Sequence, residues 1–134
     1  MPKSIGGLWE SVVSWANLHH AFREAERGKR YRDEVLRFKS NLEEELTNIQ
    51  NLLIWKQWMP SRWIEFYTYD PKKRLIQAPQ FKDRVVHHAL VRTLEPAFER
   101  KFIFDSYACR KGKGTHASVM RLQEMLRCAQ AKGI

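Results

Sequence analysis

The sequence predicts an α+β fold, mostly helical with one short antiparallel β-hairpin. Three observations carry that reading. Apolar residues recur at three- and four-residue steps over Leu8–Ala25 and again over Val35–Leu53, the spacing of a helix with one buried face. Pro60 then ends the helical pattern, and Arg62–Tyr69 is rich in aromatic and β-branched residues, which suit a pleated surface. Helical spacing resumes at Phe81 and again at Thr115.

Each element has its own grounds. Leu8, Val12, Trp15, Leu18, Phe22 and Ala25 form the stripe of a first helix, stopped by Gly28. Arg27–Arg32 is a basic connector. Asp33 is suited to cap a second helix, whose stripe is Val35, Phe38, Leu42, Leu46, Ile49 and Leu53, with Glu43, Glu44 and Glu45 toward water. Trp63, Ile64, Phe66, Tyr67 and Tyr69 mark one strand and Leu75–Ala78 a second. Between them, Asp70-Pro71-Lys72-Lys73 suits a type I turn and gives the hairpin a basic tip. Phe81–Phe102 is a third helical region with Val85, Val86, Ala89, Leu90, Thr93 and Leu94 inward. Pro96 is expected to break it near Glu95. A loop follows over Phe104–Gly114, and Thr115 is expected to cap a last helix with Val119, Leu122, Leu126 and Ala129 inward. At 134 residues the chain is expected to form one domain: a helical lead over 1–59, the hairpin over 60–80, and helices with a basic loop over 81–134.

Charge narrows the function. Residues 1–69 carry 10 basic and 9 acidic side chains, whereas residues 70–134 carry 14 and 6, so nearly all of the net +9 belongs to the second half. The stretch Asp70–Thr115 alone holds 11 Lys or Arg, clustered where the chain turns. Such asymmetry favours an anionic partner, a polyphosphate or a nucleic-acid backbone; the alternative is a solvated basic face. Hydrophobic residues make up 43% of the chain, a globular composition rather than a disordered one. No apolar run approaches the ~20 residues of a membrane span, and the start has no secretory pattern. Cys109 and Cys128 stand in no metal-ligand spacing and are expected to be free thiols in an intracellular, cytoplasmic protein.

Several motifs do not carry chemistry. His19-His20 and His87-His88 are adjacent pairs, and helix neighbours diverge by ~100°, so one pair cannot readily chelate one metal. Lys111-Gly112-Lys113-Gly114-Thr115 has the glycines of a phosphate loop but not its full spacing. No Ser/His/Asp set or glutamate dyad is recognisable, so no catalytic residue is assigned.

Two ordered motifs resemble a known family. Lys72-x-Arg74-Leu75-Ile76, Pro79 and Asp83-Arg84-Val85-Val86 are similar to the first fingers motif of bacterial reverse transcriptases. Asp105-Ser106-Tyr107-Ala108-Cys109-Arg110-Lys111-Gly112-Lys113-Gly114-Thr115-His116 resembles their second motif. The Tyr-Ala-Cys-Arg version, and the His-His pair after Val85-Val86, are nearest to reverse transcriptases of diversity-generating retroelements, relatives of the group II intron and retron enzymes. The pattern Asn17-Leu18, Ala21, Ala25 and Arg27-Gly28-Lys29-Arg30 also fits that group.

The resemblance implies the N-terminal fingers subdomain, with the edge of the palm, of a longer RNA-directed DNA polymerase. That family binds an RNA template, an RNA/DNA hybrid and dNTP, and a retroelement accessory protein is a possible further partner; no membrane is implied. Its chemistry uses two magnesium ions held by palm aspartates that this chain does not contain, and Asp70, Asp83 and Asp105 do not stand in those contexts. The chain alone is therefore expected to be inactive and to bind no magnesium. By resemblance, Arg74 with Lys72 contacts the incoming triphosphate, and Arg110, Lys111 and Lys113 track the template backbone. Arg84 is either a template contact or a structural cap. A rival reading is a non-enzymatic RNA-binding module derived from the fingers; another is a docking domain for an acidic protein.

Overall fold

The structure, a computed structural model, describes residues 4–133. The order of elements is α1 (Leu8–Val13), α2 (Trp15–Glu26), α3 (Asp33–Ser40), α4 (Leu42–Ile54), β1 (Ile64–Thr68), β2 (Arg74–Ala78), α5 (Phe81–Glu99) and α6 (Thr115–Ala131). This is the α+β class expected. Where one domain was expected, the chain divides into two compact units, the first ending at Ala97 and the second beginning at Phe98.

The core of the first unit joins Leu18, Ala21, Phe22 and Ala25 of α2, Val35 and Phe38 of α3, Leu46, Ile49 and Leu53 of α4, and Phe81, Val85, Val86 and Ala89 of α5. Phe22, Phe38 and Phe81 meet at its centre, with ring centroids 5.2–6.1 Å apart. Each such side chain contributes about 1.5–3 kcal/mol by leaving water. The expected stripes are buried at Leu18, Phe22 and Ala25 of α2 and at Val85, Val86 and Ala89 of α5, whereas Trp15 is exposed and Leu90, Thr93 and Leu94 are partly buried; the second-helix stripe is buried except for Leu42, which is partly so.

Polar residues cut the helices where the apolar spacing runs on. The first expected helix is divided at Ser14, whose extended backbone (ψ 140°) starts α2 anew, with its hydroxyl accepting from Asn17 N–H at 3.3 Å. Serine competes for backbone hydrogen bonds and so favours caps over helix interiors. The second is divided at Asn41, whose backbone (φ −121°, ψ 39°) leaves the helix without a side-chain cap bond. Arg32, not Asp33, occupies the cap of α3, and Asp33 and Glu34 stand in its first turn, where the helix dipole favours acids.

Three further expectations are corrected. The α5 helix runs through Pro96 to Glu99, because a proline removes one backbone donor without removing its neighbours' bonds. The strands are joined over residues 69–73, which bend without a backbone hydrogen bond from Lys73 N–H to the Asp70 carbonyl to close the expected turn; the Asp70–Pro71 peptide is cis. Gly114, rather than Thr115, precedes α6, and no residue of α6 is buried. Its stripe of Val119, Leu122 and Leu126 is 48–59% exposed.

Two polar clusters tie the first unit together. Asn17 Nδ2 donates to the carbonyls of Val12 and Ala89, both at 3.0 Å, and Asn17 Oδ1 accepts from Arg92 Nε at 3.3 Å. Arg92 also pairs with Glu24. At the end of α2, Glu26 is only 2% exposed and faces Arg23, Arg30 and Lys39 at 3.5–3.8 Å. One buried carboxylate thus holds cations from α2, the connector and α3.

Candidate nucleic-acid interface

The hairpin pairs Ile64 with Ala78, Phe66 with Ile76 and Thr68 with Arg74. Alternation puts those residues on one face and Glu65, Tyr67, Leu75 and Gln77 on the other. Both faces reach water: Phe66, Tyr67, Tyr69 and Leu75 are all exposed. Lys72, Lys73 and Arg74 are exposed as well. Arg74 shares its face with Phe66 and Ile76, while Lys73 Nζ lies 4.5 Å from the Tyr67 ring centroid.

The base of the hairpin is held by the first turn of α5. Asp83, only 1% exposed, accepts from Ser61 N–H at 2.8 Å and from its hydroxyl at 3.3 Å. Gln80 Nε2 donates to the Arg62 carbonyl at 3.2 Å. Asp83 is therefore a positioning residue that ties the chain leading into β1 to α5. Arg84, next to it, is half-buried.

The second unit holds the basic loop, and its arginine is spent internally. The Arg110 guanidinium grips Glu99 through Nε at 3.0 and 3.1 Å and Nη2 at 2.8 Å, and donates through Nη1 to the carbonyls of Ser106 and Ile103 at 2.8 and 3.2 Å. Its side chain is 12% exposed. The Arg110 hydrogen bonds hold the Glu99 carboxyl below the usual carboxylate range, and the same bonds raise the guanidinium. The geometry thus makes Arg110 the clasp that shapes the loop.

Lys113 is also drawn inward: its ammonium donates to the Phe104 carbonyl and sits 4.2 and 4.7 Å from the ring centroids of Phe104 and Tyr107. Lys111 is exposed. Burial, then the hydrogen bond to Asp105 at 3.2 Å, pushes the Tyr107 hydroxyl upward. Arg121, bonded to Asp105 at 3.0 Å and Glu124 at 2.7 Å, lies over the Phe104 ring at 5.5 Å from its centroid. A cleft of about 650 Å³ opens here, lined by Phe104, Tyr107, Lys113, Met120, Arg121 and Arg127 among others. Sequence reasoning missed Phe104 and Arg121. The signal was the exposed Phe102-Ile103-Phe104 run beside cations, the interleaving that suits base stacking.

Among the described residues no three His, Cys, Asp or Glu side chains gather to hold a metal ion, and no helix is long and apolar enough to cross a membrane.

These features define a mostly helical α+β chain with a cationic, aromatic hairpin and a second basic unit. No family model matches it. Over 53 residues it is 38% identical to nuclear intron maturase 1, mitochondrial, of Arabidopsis thaliana, a stretch that takes in 38% of this chain and 8% of the maturase. That match fits the resemblance to reverse-transcriptase-related proteins loosely and does not point to the diversity-generating type.

Proposed function

We propose that this chain is the N-terminal fingers portion of an RNA-directed DNA polymerase of a retroelement, of the diversity-generating type, acting in the cytoplasm on an RNA template. The observation that carries this reading is the hairpin itself. Its exposed Lys72, Lys73 and Arg74 stand beside exposed aromatic rings on strands that cover no core. In this reading Arg74, with its planar fork of donors, and Lys72 hold the triphosphate of the incoming dNTP. Lys111 meets the template backbone, and Arg110 and Lys113 keep its loop in shape. The two magnesium ions belong to palm aspartates of the longer polypeptide. A non-enzymatic RNA-binding module derived from the fingers is the second reading.

The test is RNA binding by the purified chain, followed by fluorescence anisotropy across a salt series. Affinity is expected to fall steeply with salt, since each neutralised phosphate releases counterions. No binding at low salt refutes both readings. In the longer enzyme, Arg74→Ala is expected to raise the apparent KM for dNTP more than it weakens template binding; the reverse pattern favours the binding module.

A further inference from the structure

The basic connector and the start of α5 form a further cationic cluster within the first unit. Gly28, at φ 73°, turns the chain after α2. Lys29 N–H donates to the Glu26 carbonyl at 2.9 Å, and Arg32 N–H to the Lys29 carbonyl at 3.0 Å, so Lys29 and Arg32 stand on one tight turn. Arg32 caps α3, and Glu34 in the first turn of α3 accepts from Phe81 N–H at 3.3 Å, at the first residue of α5. The two helix starts therefore abut. Arg84 lies one turn into α5, its N–H bonded to the Gln80 carbonyl at 3.1 Å.

Arg84 carries the anomaly. Its Nη1 is buried, and among the described residues nothing accepts from it. A buried donor on a charged group without an acceptor costs about 1–3 kcal/mol or more, and such an orphan asks for a missing partner. The neighbours do not supply one. Glu26 takes up Arg30 but not Lys29 or Arg32, and among the described residues no salt bridge reaches Lys29, Arg32 or Arg84. Asp83 is occupied by Ser61. The Lys29 ammonium is held below the usual lysine range by burial first, then by the fields of Arg84 and Arg32, with Glu34 opposing. The cluster is short of negative charge.

We propose that Lys29, Arg32 and Arg84 bind a phosphate group, with the Arg84 guanidinium donating to one of its oxygens. The shared chemistry is that of an RNA backbone or a nucleotide. That RNA is the natural source rests on the function proposed above; the phosphate chemistry does not.

The test compares the parent chain with Lys29→Ala and Arg84→Lys, using inorganic pyrophosphate, a dNTP and a short unstructured RNA as probes. Pyrophosphate is expected to raise the Tm of the parent more than sodium chloride of equal ionic strength does, and both variants are expected to lose most of that rise. Without ligand, Lys29→Ala is expected to keep or raise Tm, because it relieves like-charge repulsion; a merely structural lysine would lower it. For RNA, Lys29→Ala is expected to cost severalfold in affinity and to make the salt slope shallower by about one unit. Loss confined to pyrophosphate and dNTP identifies a nucleotide site. A parent that ignores RNA yet gains Lys29-dependent stability from pyrophosphate keeps the site and overturns the RNA reading. A parent indifferent to pyrophosphate, or variants that bind every probe as the parent does, overturn the site.

Discussion

The Asp83–Ser61 contact sets how firmly the hairpin is held, and its strength follows from the geometry. The 2.8 Å bond from Ser61 N–H to a 1%-exposed carboxylate is charge-assisted, a class that contributes about 1.5–3 kcal/mol. The hydroxyl bond at 3.3 Å is longer than a good O–H···O contact and adds little. An acid in the first turn of a helix gains a further 0.3–1 kcal/mol or so from the dipole. Asp83→Ala should therefore cost about 2–4 kcal/mol, on the order of 10–20 °C in Tm for a unit of this size. Asp83→Asn keeps one carbonyl acceptor and should cost about half as much; Ser61→Ala keeps the N–H bond and should cost less than about 1 kcal/mol. Thermal unfolding followed by circular dichroism gives the ranking. Amide exchange gives the location, since β1 and β2 should lose protection before the core helices. An Asp83→Ala protein within about 1 °C of the parent, or hairpin amides exchanging at the parental rate, would refute the anchor.

Other consequences follow from the same kind of reading. Asn17→Ala removes the two 3.0 Å bonds that join α1, α2 and α5 and leaves Arg92 Nε without its acceptor; urea unfolding should show a loss of about 2–4 kcal/mol, and Asn17→Asp should not restore it, because a carboxylate cannot donate to carbonyls. The second unit should loosen in acid. Arg110 makes the Glu99 carboxyl easier to ionise folded than unfolded, so its stabilisation is complete above the ordinary glutamate value near ~4.3 and is lost as pH falls below it. Side-chain NMR of Phe104 and Tyr107 should report that loss, and Arg110→Gln should remove the pH dependence. Arg110→Ala should weaken RNA binding only as far as it disorders the loop, whereas Lys111→Ala should lower affinity with the loop intact; equal effects on the spectrum would contradict that division.

The class of fold was legible because apolar spacing and burial obey the same geometry. Val35, Phe38, Leu46, Ile49, Leu53, Val85, Val86 and Ala89 are buried where the stripe placed them. Breaks were less legible. Ser14 and Asn41 sit within continuous apolar spacing, and the local cap bond of Ser14 and the non-helical backbone of Asn41 are features that a hydrophobic pattern does not record. The α6 stripe misled for the converse reason: spacing gives a face but not a partner, and nothing among the described residues buries Val119, Leu122 or Leu126. Among the site residues, charge and turns located the clusters. Which cation faces outward depends on where the carboxylates and carbonyls fall, and Glu99, eleven residues before Arg110, was not visible as its partner.

That division between held and unheld cations bears on how the chain uses its charge. A two-stranded hairpin standing alone is marginal in water, and this one covers no core. Its register survives through fifteen residues of chain closed on themselves by β1–β2 pairing, from Ile64 to Ala78, and through the grip of Asp83 and Gln80 at its base. The side-chain bonds that hold the hairpin lie at its root, and Lys72, Lys73 and Arg74 stand exposed at the other end. In the loop of the second unit, the Arg110 hydrogen bonds to Glu99 and to the carbonyls of Ser106 and Ile103 fix the shape. In the reading proposed above, template contact falls to Lys111. Mutating the clasp and mutating the contact should therefore separate, the first in folding and the second in binding.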